Sequence, residues 1–126
     1  MIFYFDRTFG TRLPGALKRL KPPMGIRWHQ EQQFPQDMDD DQWMAIVGPR
    51  GWVVLSQDRK WHVIDAEKAA VLQHNLKCVY LPDGDRWELL CILTRHHTKV
   101  LDAISGKDGP YIIEVLRNGV IREIDL

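Results

Sequence analysis

The chain opens on an apolar run, Ile2-Phe3-Tyr4-Phe5, that stops at Asp6. A short apolar run closed by a polar residue predicts a buried strand with a carboxylate at its C-terminal end. Leu13, Ala16, Leu17 and Leu20 then recur at helical spacing within residues 9–20, with Thr8 or Thr11 as the cap. Pro14 is tolerated only near the first turn, so this helix starts late. The segment Lys21-Pro22-Pro23-Met24-Gly25 stops it, and residues 26–30 alternate as a second strand. Residues 31–38 are polar, contain Pro35 and read as a loop. A helix follows from Met38 or Asp39 to about Val47, with acids in its first turn, where the helix dipole favours them. Gly48-Pro49-Arg50-Gly51 ends it, and residues 52–57 form a strand that leads into Asp58. Residues 66–75 read as a short helix, and residues 77–81 as a strand closed by Pro82-Asp83-Gly84. Residues 85–104 read as a long helix with an apolar set of Trp87, Leu90, Cys91, Leu93 or Thr94, Val100 or Leu101, and Ile104. Residues 111–117 and 120–125 alternate on either side of Asn118-Gly119, a strong hairpin signal.

Strands that alternate with helices predict an α/β fold: a mainly parallel central sheet with helices on both faces. Right-handed crossovers lead to the strand order 2-1-3-4, with the C-terminal hairpin extending one edge. In such sheets ligands bind beyond the carboxyl ends of the strands, where the strand order reverses. That point falls here between the first and third strands, which lead into Asp6 and Asp58.

Length and composition narrow the class. At 126 residues, 44% hydrophobic and 27% charged, the chain reads as one domain, 1–126, large enough to fold without a disulfide or metal staple. No apolar run approaches a membrane span, and MIFYFD lacks the features of a signal peptide. Cys78 and Cys91 both lie in apolar runs and read as two buried free thiols of a cytoplasmic protein. Lys+Arg and Asp+Glu are both 17, which argues against non-specific coating of DNA. The charges are unevenly placed, however. Residues 1–30 carry Arg7, Arg12, Lys18, Arg19, Lys21 and Arg27 against the single acid Asp6. Residues 31–41 carry Glu31, Asp37, Asp39, Asp40 and Asp41 and no base.

Carboxylates at neighbouring strand ends repel one another, and a divalent cation resolves the repulsion. Mg²⁺ suits oxygen ligands of this kind. Asp40 is a third candidate, because its spacing to Trp43, Met44 and Val47 puts it on the sheet-facing side of its helix. Asp39 reads as the cap of that helix and Asp41 as solvent-facing. Each acid also has a simpler reading: turn formation for Asp6 and Asp58, helix capping or solvation for residues 37–41. The five histidines show no metal-ligand spacing with a cysteine, and no phosphate-binding glycine loop or nucleophile elbow is present.

The runs FYFDRTFGTRLPGAL, FPQDMDDDQWM and GWVVLSQDRK together resemble the PIN-like nuclease domains, in particular the subgroup near the VapC-type toxins. The resemblance is close over residues 2–80 and looser beyond. It implies a three-layer sandwich and hydrolysis of RNA phosphodiester bonds that depends on Mg²⁺ or Mn²⁺. It also implies that Asp6, Asp40 and Asp58 are catalytic, metal-site acids. Asp37 matches the first Asp of a D-x-x-D-x-x-W segment, and Ser56 matches a small hydroxyl residue that holds the site's hydrogen bonds. Lys60 departs from the pattern, since many relatives carry a further Asp there.

Arg7, Arg12, Arg59 and Lys60 flank the acids and are candidates for the RNA backbone. Ordinary surface charge is their alternative role. The resemblance further implies the toxin of a toxin–antitoxin pair, hence a cognate antitoxin partner, and related domains often form homodimers. The basic helix 9–20 and exposed aromatics are the candidate partner surface. Two rivals stand beside this reading. One is a degenerate PIN-like module that binds RNA or protein without cutting. The other is a phosphoacceptor receiver-like domain, disfavoured by Arg7 directly after Asp6 and by the C-terminal hairpin.

Overall fold

The computed structural model describes residues 1–126. Six strands form one sheet: β1 (Ile2–Phe5), β2 (Gly25–Trp28), β3 (Val53–Ser56), β4 (Lys77–Tyr80), β5 (Tyr111–Val115) and β6 (Ile121–Ile124). Their order is β2-β1-β3-β4-β5-β6, with every pair parallel except the terminal β5–β6 hairpin. The helices are α1 (Arg12–Arg19), α2 (Asp40–Val47), α3 (Asp65–Gln73) and α4 (Arg86–Ile104). The α/β class, the mainly parallel sheet and the terminal hairpin are those expected from the sequence pattern.

Strand alternation sorts the core into two layers. Phe3, Phe5, Val53, Leu55 and Val79 face one side, where Leu13 and Leu17 of α1 and Leu89, Ile92 and Leu93 of α4 cover them. Tyr4, Val54, Cys78 and Tyr80 face the other, beneath Trp43, Met44 and Val47 of α2 and Ala70 and Val71 of α3. The β3–α3–β4 and β4–α4–β5 connections step in the same direction across the sheet yet place their helices on opposite faces. These two crossovers are therefore of opposite hand, a departure from the usual right-handed rule. The short α1 covers only the β2–β1 end of its face. Placing the 19-residue α4 beside it buries the rest.

Three expectations require correction. Cys78 is fully buried, but Cys91 is exposed. The inward stripe of α4 is Leu89, Ile92, Leu93, Val100 and Ile104, so Trp87 is 71% exposed rather than part of the core. Two apolar stripes coexist on this helix, and only the packed sheet chooses between them. The terminal hairpin also turns one residue earlier than the Asn-Gly pair suggests. Gly119 N–H donates to Leu116 O at 2.9 Å, so Arg117-Asn118 is the central pair. Gly119 follows at φ 87°, the glycine position of a three-residue loop with a bulge.

Candidate active site

The site lies at the carboxyl ends of β1 and β3, on either side of the point where the strand order reverses. Asp6 leaves β1 with its backbone N–H donating to Leu55 O of β3 at 3.4 Å. Its side chain caps the 3-10 turn Arg7–Phe9, accepting from Thr8 N–H at 3.0 Å and from the Thr8 hydroxyl. Its second oxygen accepts from Ser56 Oγ at 2.7 Å, and Ser56 Oγ accepts from the Asp58 N–H at 2.9 Å. One buried hydroxyl thus ties the two strand-end acids together.

Asp6 is only 4% exposed. Burial raises its pKa and the Asp58 charge adds to the rise, while the Thr8 and Ser56 hydrogen bonds oppose it.

Asp40 enters from α2. Its Oδ1 accepts from Trp43 Nε1 at 3.0 Å, one helical turn on, and from Arg7 Nη2 at 3.2 Å. Arg7 also donates to the carbonyls of Gln36 and Met38, so its guanidinium pins the acidic loop against the end of β1. Asp39 caps α2, with the Gln42 side chain returning a bond to its N–H at 3.0 Å. Asp41 accepts from or pairs with His74 Nε2 at 2.8 Å, and exposed Asp37 lines the same depression as Asp40.

The sequence reading missed Glu67, in the first turn of α3. Its Oε1 stands 3.6 Å from Lys60 Nζ, while its Oε2 is buried with no hydrogen-bond partner. Burial raises the Glu67 pKa, and the nearby Asp40 and Asp58 charges raise it further against the opposing pull of Lys60. In the sequence Glu67 is indistinguishable from an ordinary first-turn acid. Lys60 Nζ also lies 3.4 Å from Asp58 Oδ2. Arg59 turns away to Glu114 at 3.2 Å and Leu81 O at 3.3 Å. Arg12 lines a separate hollow with Leu13, Trp87 and Leu90.

In this arrangement no three His, Cys, Asp or Glu side chains converge as a metal-ligand group. The donor chemistry nevertheless suits a hard divalent cation. Asp6, Asp40, Asp58 and Glu67 offer only oxygen, and the buried Glu67 Oε2 has no hydrogen-bond partner. No helix is long and apolar enough to cross a membrane.

Comparison with curated proteins and with solved structures gives no match. The family profile described as "PIN like domain" matches residues 1–83. That stretch runs from β1 through β4 and contains Asp6, Asp40, Ser56, Asp58 and Glu67. With the strand order and the strand-end acids in place, the match is decisive at the family level: the chain belongs to the PIN-like domain family.

Proposed function

We propose that this protein is a divalent-metal-dependent endoribonuclease that hydrolyses RNA phosphodiester bonds. PIN-like domains are generally nucleases and usually use divalent metals. The observation that carries the reading is the Asp6–Ser56–Asp58 bridge at adjacent strand ends, with Asp40 and Glu67 beside it. Asp6, Asp40 and Asp58 would hold Mg²⁺ or Mn²⁺, which when bound makes water a better nucleophile and offsets charge on the phosphate. Ser56 ties the Asp6 carboxylate to the Asp58 backbone, which fixes where the chain carrying Asp58 leaves β3 relative to Asp6. Arg7 holds Asp40 and the 36–38 loop at the site. Asp37 sits on the rim. Arg12, Arg59 and Lys60 remain candidates for the RNA backbone, Arg59 and Lys60 only after leaving their present carboxylate partners.

On this reading the protein is a cytoplasmic toxin held in check by a cognate antitoxin, with homodimerisation as a further proposal. Leu20 and Trp87, 65% and 71% exposed, offer apolar anchors beside the basic α1 for such contacts.

The test is cleavage of a panel of structured RNAs with Mg²⁺, Mn²⁺ or chelator, beside Asp6→Asn and Asp58→Asn. Metal-dependent cutting that falls at least about a hundredfold in both variants is the expected result. A second reading, a non-cutting RNA- or protein-binding module, is favoured by one observation: Arg7 and Lys60 already neutralise Asp40 and Asp58. RNA binding without cleavage in any metal would select it.

A further inference from the structure

Lys60 is the only cation paired with either Asp58 or Glu67. Its ammonium stands between them, 3.4 Å from Asp58 Oδ2 and 3.6 Å from Glu67 Oε1. Its backbone N–H donates to Asp58 Oδ1 at 3.4 Å, so a tight turn launches the side chain straight back over the acid. Asp6 is already occupied by Thr8 and Ser56, and Asp40 by Arg7 and Trp43. The two remaining carboxylates share this one ammonium.

We propose that Lys60 is a tethered cation of the carboxylate site, holding Asp58 and Glu67 together in the metal-free protein and competing with a divalent ion for their oxygens. The inference rests on the metal-site reading above. Two carboxylates at this spacing need positive charge between them, and here the chain supplies it. Displacement is easy, because the Lys60 side chain is 48% exposed and an ion pair of such exposure is worth little. A long flexible stem also lets the ammonium swing into water without moving the backbone. The Asp40 charge acts on both Lys60 and Glu67, so the field that attracts the ammonium is the field a metal ion would meet. Lys60 therefore sets the affinity of the site for metal, as a positioning residue rather than a catalytic one.

The experiment is calorimetric titration with Mn²⁺, with thermal melts in chelator and in Mn²⁺, on wild type, Lys60→Gln, Lys60→Arg and Asp58→Asn. Lys60→Gln should bind Mn²⁺ about ten-fold or more tightly than wild type, since a repelling charge is gone. It should also melt lower in chelator and gain more from Mn²⁺. Lys60→Arg, which keeps the charge, should stay close to wild type. Mn²⁺ binding that Asp58→Asn abolishes and Lys60→Gln leaves within two-fold of wild type would overturn the inference alone. No Mn²⁺ uptake at millimolar concentration by either wild type or Lys60→Gln would overturn it together with the metal-site reading.

Discussion

At the scale of single residues, the site is governed by one buried carboxylate and the hydroxyl that serves it. Asp6 sits on the reversal point of the sheet because the chain leaves β1 there, and its backbone still bonds to β3. Burial keeps its pKa above the ordinary value near 3.8. Between that ordinary value and its raised value in the fold, the folded chain binds the proton and the unfolded chain does not. Stability therefore falls as pH rises through this window, and the loss persists above it. We expect the unfolding free energy of metal-free wild type, relative to Asp6→Asn, to decline across the window in denaturant titrations. Ser56→Ala should move the decline to higher pH, because one of the bonds that favours the ionised form is removed. A pH-independent difference between wild type and Asp6→Asn would show that the carboxylate is not under this strain. Asp6 and Asp58 were legible as strand-end acids. Glu67 was not, because helix-dipole acids and site acids look alike until the fold sets them side by side.

At the scale of elements, the acidic edge depends on how α2 and α3 meet. Gly48, at the end of α2, adopts ordinary helical backbone, so its glycine is required by space rather than by conformation. A Cβ there would lie 2.2 Å from His74 O at the end of α3. Gly48→Ala should destabilise the fold by about 1–3 kcal/mol. It should also disturb the Asp41–His74 contact and the depression lined by Asp40 and Glu67. A chemical denaturation curve checks the first expectation, and the histidine and tryptophan signals of an NMR spectrum check the second. Helix and strand positions were legible because each apolar period was unambiguous over most segments. The long α4 was the exception. Its first turns offered Trp87, Leu90 and Cys91 as readily as Leu89 and Ile92, and amphipathic spacing alone does not say which stripe the sheet will take.

At the scale of the whole molecule, two core layers share one sheet, so neither can melt without exposing the other's support. Trp43 and Trp61 lie in the α2–α3 layer, whereas α1 and α4 hold the opposite face. Fluorescence, dominated by the first layer, and far-UV circular dichroism, weighted to the helices of both, should report one coincident unfolding transition. Leu17→Ala, in the α1 layer, should shift both signals together by about 2–4 kcal/mol. Separated transitions would mean that the chain does not behave as the single domain its pattern suggests. The zero net charge leaves electrostatics to local arrangement: cations along residues 7–27 against the acids of residues 31–41.

The sequence by itself determined the alternation of strands and helices, the strand order and the position of two acids at adjacent strand ends. Those follow from local periodicity and from the short list of ways an α/β chain can wind. The tertiary structure alone decided the face taken by α4, the exposure of Cys91 and Trp87, and the pairing of Lys60 with Asp58 and Glu67. Such outcomes depend on which surfaces are left bare and which charges end up within a few ångströms. Both are properties of distant segments brought together, and no window along the chain contains them.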